Sequence, residues 1–272
     1  MANKMKKSII YLIISILHVI PCLAQQDSIK FKYITSFEIE SNNFITDEYG
    51  SIYVINNNEL KKYNSEGLFL NSFSTANNYN ITSIDVSNPI KIIIFTQENC
   101  NVIFLNQTLN IIKTIILYDY NIYSPQLVCN SFRDGFYVYD NTDYSLLFIS
   151  NNKSEQIKID FFDNNFEPTY IQEYKNKLYL NYQDTGIIVL DNYFFEENFI
   201  PIKKNKKFQI KEQKISFFDV ENSKLIIYNL KIKKNYNINL PIQNANYARI
   251  EQDLIFILKK KQIFVYQFWK IR

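Results

Sequence analysis

The feature that most constrains this chain is a repeat of about forty residues. One apolar, strand-like segment recurs as GSIYVIN, IKIIIFT, GFYVYDN, NKLYLNY, QKISFFD and QDLIFIL. Taking Val54, Ile94, Val138, Leu180, Phe217 and Phe256 as equivalents, the steps are 40, 44, 42, 37 and 39 residues. A second segment follows each, as ELKKYN, NVIFLN, LLFISN, IIVLDN, LIIYNL and IFVYQF. Here Tyr63, Leu105, Ile149, Leu190, Tyr228 and Tyr266 are spaced by 42, 44, 41, 38 and 38. In five of the six a turn-former follows directly (Asn64, Asn106, Ser150, Asp191, Asn229), as a strand end requires. Two independent registers with one period mean a single structural unit used six times.

Each unit has room for four strands. In the first, residues 43–47, 51–56, 59–64 and 68–74 are rich in β-branched and aromatic side chains and are separated by short turns. Four short strands in this period are the sequence form of a propeller blade. The last unit lacks a fourth strand, while residues 31–39, FKYITSFEI, form an unassigned strand ahead of the first. Pairing that strand with the last blade removes two exposed sheet edges. Phe31, Ile34, Phe37 and Ile39 are then its packing side chains. The expectation is an all-β, six-bladed propeller of four-stranded blades, a single domain over residues 25–272, closed by its N-terminal strand.

Residues 1–24 read as a signal peptide. Lys4, Lys6 and Lys7 precede an apolar run over residues 9–20, and small residues allow a cut after Ala24. Two alternatives stay open: an uncleaved anchor, short for a bilayer span and interrupted by His18, and a lipoprotein signal using Cys22, which Pro21 disfavours. Removing the segment takes away three Lys, so the formal charge falls from +3 to 0, with no transmembrane segment remaining. The remaining charge is segregated: residues 25–202 carry 11 Lys/Arg against 22 Asp/Glu, and residues 203–272 carry 16 against 5. Halves this unequal point to a charged partner or to mutual attraction across a compact fold. Export and zero net charge argue against nucleic acid.

The chemistry-bearing residues are few. His18 is the only histidine, so the mature chain has no Ser-His-Asp or Cys-His set and no His-ligated metal or haem. No catalytic set, cofactor motif or Asp-x-Asp-x-Asp-Gly calcium loop is present, and the expectation is no cofactor and no metal. The four glycines, Gly50, Gly67, Gly135 and Gly186, each fall at a predicted turn. Cys100 is placed at a hairpin tip of blade 2 and Cys129 in the inner strand of blade 3, a poor geometry for a disulfide, which export nonetheless permits. Carboxylates cluster at Glu196-Glu197 and Asp160 to Asp163, with Glu173 and Asp184 beyond, all read as solvated loop or strand-end groups. Basic runs at residues 203–207 and 259–261 map to one rim. A pocket, if formed, lies at the mouth of the central channel, where Asp85, Gln209 and Arg249 are the candidate ligand-binding residues. Asp85 and Arg249 are also placed to neutralise each other.

The segments FEIESNNFITDEYGSIYVINNNELKKYNSEG and ARIEQDLIFILKKKQIFVY resemble a group of secreted propeller-like proteins of Bacteroidota, of flavobacterial type, to which no function is assigned. The resemblance runs over the whole mature chain and implies export to the periplasm or cell envelope. It brings no active site with it, and the scarcity of glycine departs from that group. The functional expectation is a non-enzymatic binding or scaffolding propeller that contacts an envelope protein through a loop rim. The alternative is a carbohydrate-binding or carboxylate-based hydrolase or lyase propeller.

Overall fold

In the computed structural model, residues 29–150, 156–160, 167–182, 185–203 and 207–270 are described. The signal-peptide segment, Asp163, Asp184 and part of the basic run 203–207 lie outside them. The chain divides into two units, Phe31–Phe268, which holds the blades, and the chain ends Met1–Lys30 and Trp269–Arg272. Among the described residues no helix is long and apolar enough to cross a membrane.

Strand β1 (Ile29–Glu38) comes first. Blade 1 holds β2 (Phe44–Thr46), β3 (Ile52–Asn56), β4 (Glu59–Tyr63) and β5 (Phe69–Ser74). Blade 2 holds β6 (Ser83–Asp85), β7 (Ile92–Thr96), β8 (Asn101–Leu105) and β9 (Ile111–Ile116). Blade 3 holds β10 (Pro125–Ser131), β11 (Gly135–Asp140), β12 (Ser145–Ser150) and β13 (Gln156–Asp160). Blade 4 holds β14 (Tyr170–Tyr174), β15 (Lys177–Tyr182), β16 (Gly186–Leu190) and β17 (Glu196–Ile200). Blade 5 holds β18 (Phe208–Lys211), β19 (Lys214–Asp219), β20 (Lys224–Asn229) and β21 (Lys234–Asn239). In blade 6, β22 (Tyr247–Glu251), β23 (Leu254–Lys259) and β24 (Gln262–Lys270) are completed by β1, in the order β1-β24-β23-β22. The protein is a six-bladed β-propeller whose last blade takes its outer strand from the N-terminal side, as the repeat predicts.

The core lies between blades rather than inside one. Phe44, Ile52 and Val54 of blade 1, for example, pack with Phe256, Leu258, Ile263 and Val265 of blade 6. Blades 2, 3 and 6 bury both faces, so their second strands are apolar on both sides. This costs the sequence its phase in blade 6. Val54, Ile94, Val138, Leu180 and Phe217 lie opposite Phe44, Ile84, Val128, Ile171 and Phe208 on the first strands. In blade 6 the residue opposite the equivalent Ala248 is Ile257, not Phe256. Ile255, Phe256, Ile257 and Leu258 are all buried, so no alternation marks the register, and a one-residue slip exchanges faces unnoticed.

Antiparallel order sorts the connections. Turns from first to second and from third to fourth strand gather at one end of the ring, called face A. Second-to-third turns and blade-to-blade connections gather at face B. The described parts of both basic runs, Lys203 and Lys207 and the turn of Lys260 and Lys261, belong to face B.

Third-to-fourth turns of blades 1, 2 and 4 share one frame, and that of blade 5 is a variant one residue longer. The Asn64 side chain accepts the N–H groups of Glu66 and Leu68 at 3.0 and 2.9 Å, while Gly67 N–H donates to the Asn64 carbonyl. Asn106 accepts those of Thr108 and Asn110, and Asp191 those of Tyr193 and Phe195. Asn229 accepts those of Lys231 and Ile232. The predicted turn-formers are thus Asx turns, in which a side-chain oxygen stands in for a backbone carbonyl. One residue in each is left-handed: Gly67, Leu109, Phe194 and Lys233, with φ of 85°, 63°, 68° and 53°.

β1 does more than complete a ladder. Ile39 N–H donates to the Lys261 carbonyl at 2.8 Å, and the Phe37 ring packs 5.6 Å from that of Tyr63 in blade 1. A Cβ on Gly67 would stand 2.3 Å from that Phe37 ring. The predicted packing set is corrected at Ile34, which is 41% exposed, because it falls on the opposite side of β1 from Phe31 and Phe37. Gly135 and Gly186 are also corrected: each opens a strand, where a Cβ would meet the carbonyl oxygens of Ile149 and Ile200 at 2.4 and 2.5 Å. Cys100 and Cys129 are buried, free thiols.

Candidate functional site

The first strand of each blade is a sheet edge turned to the central channel, so its outward N–H groups need partners from outside its own sheet. The residue after each ladder-equivalent position forms one ring: Ile45, Asp85, Cys129, Gln172, Gln209 and Arg249. The three sequence candidates are therefore equivalent members of a single layer. They also line one cavity of about 420 Å³, which opens on face A among turn residues Glu48, Phe132, Glu212 and Gln252.

Asp85 and Arg249 do not neutralise each other. Asp85 accepts the N–H of Asn130 in blade 3 at 2.8 Å through one oxygen and that of Ser87 at 2.8 Å through the other. Gln209 accepts the N–H of Ile250 in blade 6 at 3.2 Å and donates to Glu251 at 2.6 Å. Arg249 donates to the Thr46 hydroxyl of blade 1 at 3.0 Å and to the Tyr247 hydroxyl at 3.2 Å. Thr46 in turn donates to Glu251 at 2.7 Å. Each candidate joins its own blade to the next, from 2 to 3, from 5 to 6 and from 6 to 1. Cys129 repeats the pattern by taking a backbone bond from Glu173 of blade 4, and burial pushes its thiol well above the ordinary range. Ile45 has no polar group for the purpose. This layer is a stitch along the channel, and the ring spacing explains why the candidates fall where they do.

The structure adds two groups of different standing. Glu173, read from sequence as solvated, is only 2% exposed, because alternation along β14 puts it on the side of Ile171, turned to blade 3. One oxygen accepts the Phe132 N–H at 2.7 Å, and the other has no hydrogen-bond partner among the described residues. Burial raises its pKa, against the pull of the Ser131 hydroxyl and the Phe132 N–H. Glu251 is 5% exposed, and burial raises its pKa too, against Arg249, Thr46 and Lys211. Its second oxygen lies 3.5 Å from Lys211. A signal for Glu251 existed in the run Arg249-Ile250-Glu251, since residues two apart share a face, but nothing local says that the face is a channel. For Arg249, burial opposes the charge while Tyr247, Glu251 and Tyr170 hold its pKa above the ordinary value. Glu196 and Glu197 are exposed, and Glu197 pairs with Lys177. Among the described residues no group of three metal-ligating side chains comes together.

No family model matches the chain, and no curated protein matches it. Solved structures do. Virginiamycin B lyase from Staphylococcus aureus superposes with a TM-score of 0.60 at 8% identity, over 88% of this chain and 99% of that one. A form of that lyase made catalytically inactive by replacing one histidine with alanine, solved with quinupristin, gives 0.55 at 10% identity, over 88% of each chain. BamB from Moraxella catarrhalis gives 0.52 at 7%, over 88% of this chain and 100% of that one. The WD40 domain of Neurospora crassa Pan2 gives 0.58 at 8%, over 87% and 95%. Likeness at this identity carries over the propeller fold and no property finer than the fold.

Proposed function

We propose that this protein is a non-enzymatic binding propeller of the bacterial periplasm or cell envelope that docks a protein partner on face A. The observation that carries the reading is the inner rim of that face. First-to-second turns of three consecutive blades present Tyr49, Ile90 and Phe132, which are 69%, 65% and 57% exposed. Large rigid side chains held on short turns are what protein interfaces use as anchors. The corresponding turns of blades 4 to 6 carry Lys175 and Asn176, Glu212 and Gln213, and Gln252 and Asp253, which suit a polar margin. The layer of Asp85, Gln209 and Arg249 supports the same reading, because each of the three is spent on joining its blade to the next. The lyase that shares the fold loses activity with one histidine, and the only histidine here is His18, ahead of the propeller.

The test is cross-linking and purification of the tagged protein from its native envelope, beside a variant carrying Tyr49→Ala, Ile90→Ala and Phe132→Ala. A defined partner that is captured by the native protein and lost with the variant supports the reading. A partner held equally by both, or none, overturns it.

A second reading, a carbohydrate-binding or carboxylate-based carbohydrate-active propeller, rests on the cavity of about 420 Å³ that holds both Glu173 and Glu251. Its size suits a small ligand. Saturable oligosaccharide binding that Glu173→Gln abolishes would favour it.

A further inference from the structure

We propose that the face A end of blade 5 docks on an anionic phospholipid surface. Two turns meet there. Leu230 N–H donates to the Gln213 carbonyl at 2.9 Å, which ties the third-to-fourth turn to the first-to-second turn of the same blade. The tied pair carries Lys211, Lys214, Lys231, Lys233 and Lys234 against one acid, Glu212. Lys214 lies opposite Asn229, and Asn229 opposite Lys234, so both lysines project from one side of the sheet, roughly 10 Å apart across two strand spacings. Lys211 is committed to Glu251. Lys214, Lys231, Lys233 and Lys234 are exposed and have no ion-pair partner among the described residues.

The tip itself is amphipathic. Asn229 holds the N–H groups of Lys231 and Ile232, and Lys233 N–H returns to the Asn229 carbonyl at 2.8 Å. That frame leaves Ile232, 48% exposed, projecting between lysines, with Tyr236 exposed on the following strand. An apolar residue at a convex tip, ringed by ammonium groups, fits the boundary between headgroups and acyl chains better than it fits a protein groove. The cations are all lysines. Arg249 is the only arginine between residues 203 and 271, and a fixed carboxylate partner would favour arginine's bidentate fork. Diffuse, mobile phosphate charge is served as well by lysine. The corresponding turns of blades 1, 2 and 4 carry no lysine, with Glu66, Thr108 and Tyr193 at their tips.

The test is co-sedimentation of the full chain with vesicles of phosphatidylglycerol and phosphatidylethanolamine, and with phosphatidylcholine alone, at 0.1 M salt. The native protein should partition onto the anionic vesicles and be released as salt rises. The variant Lys231→Gln, Lys233→Gln, Lys234→Gln should partition roughly a hundredfold less, from about fivefold per lysine. Its circular dichroism and melting curve should match the native ones. Ile232→Ser should weaken binding severalfold without changing the salt dependence. Replacing Lys259, Lys260 and Lys261 on face B by Gln should have a lesser effect than the blade 5 variant. Equal binding to neutral vesicles, no binding to anionic ones, or native-like binding by the blade 5 variant overturns the proposal. Binding to polyglutamate in preference to anionic vesicles overturns it in favour of an acidic protein partner.

Discussion

The third-to-fourth turns of blades 1 and 5 start from the same kind of residue, differ by one residue in length and are finished differently. Both hang on an asparagine side chain, Asn64 or Asn229, and both place one residue in the left-handed region. In blade 1 that residue is Gly67, beneath the Phe37 ring of the closing strand. In blade 5 it is Lys233, exposed to solvent. Blades 2 and 4 supply the middle case, with Leu109 and Phe194 in the same conformation and buried in the inter-blade core. Left-handed backbone costs a side-chain-bearing residue roughly 1 kcal/mol. Core burial offsets that cost at Leu109 and Phe194, and nothing offsets it at Lys233. The backbone demand is shared. What stands above the backbone decides which side chain is tolerated.

The strongest way to break the comparison is to remove what stands above Gly67. Deleting residues 25–40 takes away Phe37 and Ile39 and leaves β24 as an unpaired edge. Burial of a large apolar side chain contributes about 1.5–3 kcal/mol, and an open edge invites self-association. The truncated protein should aggregate and melt more than 10 °C lower, roughly 3 kcal/mol or more for a domain of this size. Light scattering and calorimetry decide it: a monomer melting within a few degrees of native means β1 is not the clasp.

Next in size is Gly67→Val. The new Cβ would stand 2.3 Å from the Phe37 ring, at a φ of 85° that a β-branched residue resists. The expected loss is about 3 kcal/mol. A chemical denaturation midpoint close to native would show that Phe37 moves aside freely, and the contrast with Lys233 would disappear.

Leu109→Ala keeps the left-handed backbone and removes the burial, so it should cost about 2–3 kcal/mol. If the cost falls below about 1 kcal/mol, packing is not what sustains the residue in that conformation.

The smallest change should carry the opposite sign. Lys233→Gly relieves the exposed left-handed position, and the melting temperature should rise by about 1–3 °C, under 1 kcal/mol. A fall would place Lys233 in a contact that its exposure does not suggest.

Much of this architecture is local and was legible for that reason. The strands of blade 1 begin and end within a residue or two of the segments read from β-branched and aromatic residues between turns. Asn64, Asn106, Asp191 and Asn229 announce their turns because an Asx turn closes within five residues. The three channel candidates share a layer because each follows the equivalent position of its blade. Their work was not legible. Asp85 bonds to a backbone 45 residues away, Gln209 to one 41 away, and Arg249 to a side chain 203 away.

By itself, then, the sequence determined the number of blades, the strand order within each and the turns between strands, all set by contacts over a few residues. Tertiary structure decided the phase of blade 6, where residues 255–258 are buried on both faces and alternation is lost. It also decided that Glu173 and Glu251 are buried and that Gly67 lies beneath Phe37. Those outcomes depend on which blade lies beside which once the ring closes, and closure joins residues more than two hundred positions apart, where no local pattern reaches.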